Sequence, residues 1–335
     1  MLSTPLLYGI LMLTSSVGSV SGNILLLIIS VLNPKLHTDT SPLSFNLNIC
    51  DLILGLTVIP AGIYNSLSGV ATFTEHQAVC QLTAFLYVLL QLASINSLTW
   101  ITVDKFAEIC YPLHYAQLIT KQRIWLILVF LWIYCILNAT APLFGFGTYS
   151  YNESKYICLP SFSLTTKAYS VIFLSMGIVV PVLATCFMYS CIIHTARHQA
   201  KRGTFVCNDQ HCYYVPAKSY FRSTILLIST TICLLICWTP YITISFYETF
   251  QSNAVPPLAN AISIWLVLFT SALDPWVNAM VQKKYRQALC ESWKKLKQKF
   301  VCKTQEIPAF PEQKDATYRS PRPSPRSIPL RNILT

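Results

Sequence analysis

Charge is what this chain has least of. Only 11% of its 335 residues are Asp, Glu, Lys or Arg, where a soluble domain uses about 25%. With 53% apolar residues and a mean hydropathy of +0.49, that shortage argues against a soluble enzyme of one or two domains. Zinc and phosphate-loop motifs are missing, as is the inverted repeat on which many transporters are built. Asp51 and Asp274 lack the Tyr-Asp and Gly-flanked contexts expected of an intramembrane aspartyl protease. No enzymatic reading survives. The first apolar run has no basic head, so a secretory signal is disfavoured. The 13 cysteines are scattered, without the tight framework of a small secreted domain.

What is present is a series of apolar runs, each near the ~20 residues a helix needs to cross a hydrocarbon core of roughly 30 Å. Seven are read, at about 5–33, 41–67, 79–104, 122–145, 166–195, 222–249 and 258–281, the third and sixth continuing as helix into polar flanks. The sequence therefore predicts an all-α membrane protein: a seven-helix bundle over 1–281, a short amphipathic cytoplasmic helix over 282–300 and a disordered tail over 301–335.

Basic residues orient it. The formal net charge is +11, yet 22 of the 24 Lys and Arg fall on one set of flanks and only Lys155 and Lys167 on the other. Short basic loops stay in the cytoplasm, so the N-terminus is expected outside and the C-terminus inside. The basic excess is thus topology and inner-leaflet contact, and no soluble basic face is left for nucleic acid. Asn152-Glu153-Ser154 becomes an outer-loop glycosylation sequon. Trp293, Leu296 and Phe300 interleave with lysines, a pattern suited to the anionic inner leaflet. Cys290 and Cys302 stand where palmitate would anchor that helix, free thiols being the alternative. Cys207, His211 and Cys212 are read as an ordinary flexible inner loop rather than a metal site.

Polar groups inside spans are costly and tend to be functional. Asp51 lies midway along the second span and Asp274 in the seventh, with Asn23 and Ser94 at compatible depth. Asp51, Ser94 and Asp274 can together hold a small cation such as sodium; a water-filled network with Asn23 is the alternative, and the residues alone do not choose. Pro181 and Pro240 interrupt the fifth and sixth spans, each freeing a carbonyl and bending its helix. Trp238 and Tyr241 flank the second bend.

Taken in order, these residues resemble the rhodopsin-like (class A) receptors coupled to G proteins, with one landmark per span. The landmarks are Gly22-Asn23, Leu47 with Asp51, Cys80 followed by Asp104-Lys105-Phe106, Trp132, Pro181 with Tyr189, Cys237-Trp238-Thr239-Pro240, and Asp274-Pro275 with Tyr285 beyond. Pro112-Leu113 matches the second inner loop. The likeness covers about residues 10–300. It implies a disulfide between Cys80 and Cys158, tying an outer loop over the cavity mouth. It also implies that the remaining cysteines are reduced, that the protein lies in the plasma membrane and that it couples to a heterotrimeric G protein, with arrestin a further partner.

The departures concern switching. Lys105 stands where the family has Arg, keeping the charge without the planar fork. No acidic residue near Tyr220–Arg222 restrains it, so a poorly latched inactive state is expected. Asn278 replaces a Tyr, Leu234 replaces a Phe below Trp238, and the first outer loop, Gly69 to His76, lacks the family's Trp. Two outcomes stay open: high basal activity from a weak latch, or weak coupling because these changes damage a switch and coupling set whose other members, Asp104, Phe106, Leu113, Pro181, Tyr189, Pro240, Asp274 and Pro275, match the family.

By family position, Tyr87, Gln91, Trp238, Tyr241, Ser245, Trp265 and Leu268 line the ligand cavity. Amine receptors carry Asp where Tyr87 stands and opsins carry Lys where Leu268 stands. The resemblance therefore implies an outer ligand that is neutral or apolar, with no organic cofactor. Glu248 and Lys167 are expected at the rim. Pro142–Gly147 and Trp238–Ile242 look most like a cluster of amine-like orphan receptors, one group of which is ciliary. The competing function is a non-signalling decoy or scaffold of the same fold.

Overall fold

The computed structural model describes residues 4–68, 77–162, 166–202, 205–208, 211–214, 217–251, 255–281 and 287–291, the side chains at 35, 199–227 and 278–281 excepted. The Asn278 side chain, Cys302, Tyr285, most of the predicted amphipathic helix, the tail and the first outer loop lie outside the described residues.

Among the described residues, seven helical units are long and apolar enough to span a membrane. They are built from α1 (Thr4–Leu32), α2 (Ser41–Leu56) with α3 (Val58–Ser68), α4 (Gln77–Cys110), α6 (Lys121–Thr140), α7 (Lys167–Ile172) running through a π turn (Phe173–Val179) into α8 (Val180–Arg202), α9 (Ala217–Phe250) and α10 (Pro257–Val281). A single turn, α5 (Tyr115–Leu118), sits between the third and fourth units. Lipid-facing surfaces are plainly apolar: Val17, Ile28, Phe130, Leu137, Met176 and Phe187 are exposed. In lipid every backbone polar group must be satisfied within the chain, which continuous helices achieve.

The second unit is not one helix, as its run of apolar residues predicts. It breaks at Thr57 (φ −122°, ψ −70°), because Pro60 has no N–H and its ring crowds the carbonyl four residues back. The Thr57 hydroxyl caps the first piece by donating to the Ile53 carbonyl at 2.7 Å. The fifth unit widens into the π turn just before Pro181, which gives the freed carbonyls room.

Without a hydrophobic drive between helices, association rests on close packing and buried hydrogen bonds. Gly22 shows the first: a Cβ there would lie 3.0 Å from Pro275 Cγ, so α1 and α10 touch only because the side chain is absent. The Trp132 indole shows the second, donating to Asn46 Oδ1 at 3.0 Å while Asn46 Nδ2 donates to Ser97 Oγ at 2.8 Å. One asparagine thereby joins the second, third and fourth spans.

Outside the bundle, β1 (Tyr149–Asn152) pairs antiparallel with β2 (Ile157–Pro160). On the other side β3 (Phe205–Asn208) pairs with β4 (His211–Tyr214), a hairpin where the sequence predicts a flexible loop. Among the described residues no cluster of three His, Cys, Asp or Glu is placed to hold a metal.

Candidate functional site

Three zones line the bundle axis. In the outer half, Tyr87, Gln91, Trp238, Tyr241, Ser245 and Leu268 are all buried. The Pro240 bend sets the Trp238 and Tyr241 rings edge to face at 6.4 Å. Tyr241 also meets Phe162, which follows the outer hairpin, at 6.3 Å, and Phe162 stacks on Phe173 at 6.2 Å. Gln91 Oε1, Tyr241 Oη and Ser245 Oγ are buried with no hydrogen-bond partner among the described residues. Unpaired buried polar atoms cost free energy, so their clustering marks where a partner belongs.

Trp265 behaves differently from its companions. Its indole donates to Leu11 O and Ser15 Oγ at 3.2 and 3.1 Å, so its polar edge is committed to α1. The rim charges are committed too. Lys167 sits over the Phe250 ring at 4.5 Å. Glu248 is ion-paired at 2.9 Å with Lys155, whose side chain is only 2% exposed. Counting loop charges treats Lys155 as a solvated outer residue; the hairpin instead turns it inward. Cys80 and Cys158 are disulfide-bonded, fixing β2 to the outer end of α4. Asn152 caps the hairpin turn, its Oδ1 accepting the amides of Ser154 and Lys155 at 3.0 Å each. Burial raises the hydroxyl pKa of Tyr149 above the usual tyrosine value, and does the same to Tyr156.

At mid-depth, Ser94 Oγ donates to Asp51 Oδ1 at 2.8 Å and Asp274 is close enough to interact electrostatically with Asp51. Asn23 Nδ2 donates to the Ser19 and Ser271 carbonyls, tying α1 to α10, and Ser19 Oγ donates to the Asp51 carbonyl. Asp51 Oδ2 and Asn23 Oδ1 remain buried without hydrogen bonds. All these free atoms are oxygens, the donor type that hard cations take.

At the inner end, Asp104 is 3% exposed. It accepts from the Tyr115 hydroxyl at 2.7 Å and from Thr40 Oγ1 at 3.4 Å. Lys105 Nζ lies 3.1 Å from Asp104 Oδ2 and 2.7 Å from Glu108 Oε2. The missing restraint on the sixth span therefore does not leave Lys105 unheld, because its own helix supplies two carboxylates. Glu108 was readable from i,i+3 spacing alone. Tyr115 was not marked by any motif. Desolvation, then its bond to Asp104, holds the Tyr115 hydroxyl pKa above its ordinary value. Tyr189 is buried beside Phe106, Ile109 and Cys110, Pro181 follows the π turn, Leu234 is buried below Trp238 and Pro275 lies within α10. Leu113, an apolar side chain, is 87% exposed on the loop before α5. Cys290 is exposed.

Comparison with known proteins agrees with this layout. A model described as "7 transmembrane receptor (rhodopsin family)" matches residues 22–277. The histamine H2 receptor of Canis lupus familiaris is 28% identical over 273 residues, covering 81% of this chain and 74% of its own length. The adenosine receptor A3 of Ovis aries is 27% identical over 273 residues, covering 80% and 84%. The crystal structure of squid rhodopsin superposes with a TM-score of 0.69 at 19% identity, over 86% of this chain and 85% of that one. The fold, the disulfide and the non-enzymatic character are those of a receptor family that signals through G proteins and spans the plasma membrane several times. The chain belongs to the rhodopsin family of seven-transmembrane receptors.

Proposed function

We propose that this receptor sits with its N-terminus outside and its C-terminus in the cytoplasm, and that it passes a conformational signal to a heterotrimeric G protein through Lys105, Leu113, Tyr189 and the basic segment beyond 282. The ligand cavity favours a neutral molecule with one apolar face and hydrogen-bonding groups for Gln91, Tyr241 and Ser245. The observation that carries this reading is the state of charge at the cavity. Tyr87 offers no counter-ion, and the rim carboxylate, Glu248, is already paired with Lys155. A histamine-like or other amine cation would find no free carboxylate among the described residues lining the cavity.

A sodium ion among Asp51, Ser94 and Asp274 is part of the proposal. Two facing buried carboxylates need a shared cation or proton, and the unpaired oxygens of Asp51 and Asn23 fit the first. Ion binding would stiffen the second, third and seventh spans together.

The competing reading is a non-signalling scaffold, favoured by one observation: Lys105 is held on both sides by carboxylates of its own helix. Nucleotide exchange on purified G proteins of each class, with the full-length receptor in nanodiscs, tests the proposal. Absence of exchange with every class overturns it, and exchange that appears only in Lys105→Arg/Asn278→Tyr establishes the scaffold.

A further inference from the structure

Lys155 is the only lysine or arginine buried among the described residues, and the hairpin is built to put it there. Tyr156, next to it, adopts φ +58°, a left-handed backbone that bulky residues rarely take. Such strain persists only where the surroundings over-determine it. Here the Tyr156 amide donates to the Asn152 carbonyl at 2.8 Å, its ring packs on Tyr8 at 4.9 Å, and the Tyr8 hydroxyl donates to the Lys155 carbonyl at 2.9 Å.

The strand that follows is fixed on its other side. Every residue of β2 is buried, and Cys158 is bonded to Cys80 of α4. Ile157 presses on Gly62, where a Cβ would come within 2.8 Å of its Cγ2. Only Tyr156 and Ile157 separate Cys158 from Lys155, so Glu248 of α9 is linked to α4 by a short, doubly anchored strap. The buried ion pair that closes it is shielded from salt, and removing either partner strands the other charge.

Glu248 lies eight residues outward of Pro240, about 12 Å along the helix. The proline bend divides α9 into two arms. With the two arms turning as one lever about the bend, a pull on the outer arm toward α4 turns the inner arm the opposite way, outward from the bundle. Phe162, on the same loop, bears on Tyr241 one residue from the bend.

We infer that the Lys155–Glu248 pair is a built-in tether through which the outer hairpin draws the outer arm of the sixth span toward the third and sustains signalling without a diffusible ligand. This rests on the G-protein reading above. A free cation could displace Lys155 only against an ammonium already confined at its partner.

The test uses the full-length receptor in nanodiscs. Lys155→Met and Glu248→Gln should each lower the melting temperature and reduce basal nucleotide exchange by at least about fivefold, the low end of two-state coupling. The double variant Lys155→Met/Glu248→Leu strands no charge, so its melting temperature should return towards wild type while exchange stays low. Exchange that recovers with stability, or that never fell, overturns the tether. If the wild-type receptor activates no G protein, the signalling reading fails separately. The tether is then read from nitroxides at Leu82 and Gln251, both exposed. Their separation should lengthen in the double variant, and an unchanged distance overturns the inference.

Discussion

Tyr115→Phe removes one oxygen atom and should cost the receptor most of its grip on the G protein. The hydroxyl donates to Asp104 Oδ1 at 2.7 Å, and this bond holds the inner loop carrying exposed Leu113 against the end of the third span. Hydrogen bonds to charged groups are worth about 1.5–3 kcal/mol. The lower end applies, because Tyr115 is half-buried and the carboxylate keeps Lys105 at 3.1 Å and Thr40 at 3.4 Å. The ring is retained, so packing is little altered. If the loop must be re-ordered when the G protein docks, about 1.5 kcal/mol translates into roughly tenfold weaker binding. The assay is heterotrimer affinity for the receptor in nanodiscs, at matched folded fraction. An affinity within about twofold of wild type would refute the reasoning, since it would mean that the bond is remade at no cost by water or by Thr40. The same bond has a pH signature. The folded hydroxyl titrates above its ordinary value of 10.0, so its contribution is fully present below that pH and is lost only as pH rises through the higher folded value. Wild-type affinity should therefore show no Tyr115-dependent decline between neutrality and about pH 10.

Glu108→Gln frees one side of Lys105 and should raise basal exchange by no more than about fivefold, because a half-exposed pair contributes no more than ~1 kcal/mol; a rise well beyond tenfold would show a latch stronger than this geometry allows. Asn46→Ala strands the Trp132 indole and should lower the thermal unfolding temperature in detergent through the loss of about 1–3 kcal/mol, whereas an unchanged temperature would deny the three-span link. Asp51→Asn should abolish any sodium-dependent gain in thermal stability, and a gain that survives would move the ion elsewhere. Cys290→Ser should reduce palmitate labelling of the receptor in cells, with no reduction if the thiol is free.

The spans were legible because lipid imposes a length and a polarity that show in any window of the chain. The Cys80–Cys158 bond, by contrast, was available through family likeness alone. Pro60 was readable as a breaker but sits in so apolar a run that hydropathy conceals the Thr57 break. Glu108 was visible by helical spacing. Lys155 was not: nothing local distinguishes a lysine that points into the bundle from one in water, since its burial depends on Glu248 some ninety residues away and on a backbone strain that no motif encodes. The same holds for Trp265, whose indole direction is set by Leu11 and Ser15 at the other end of the chain.

The π turn at Phe173–Val179 has a consequence for anyone choosing cavity positions on the fifth span by helical counting. A wide turn accommodates one more residue than α-helical counting expects, and each residue carries about 100° of rotation. Positions outward of the turn are therefore out of phase with those inward of Pro181. A helical wheel drawn back from that proline at a constant 100° per residue will assign Tyr169 and Ser170 to the wrong sides of the helix. Substitutions chosen from such a map would face lipid where a cavity wall was intended. The turn is also a ready site for a single-residue deletion, which would rotate the outer end of the fifth span as a unit and present a different set of side chains to whatever occupies the cavity.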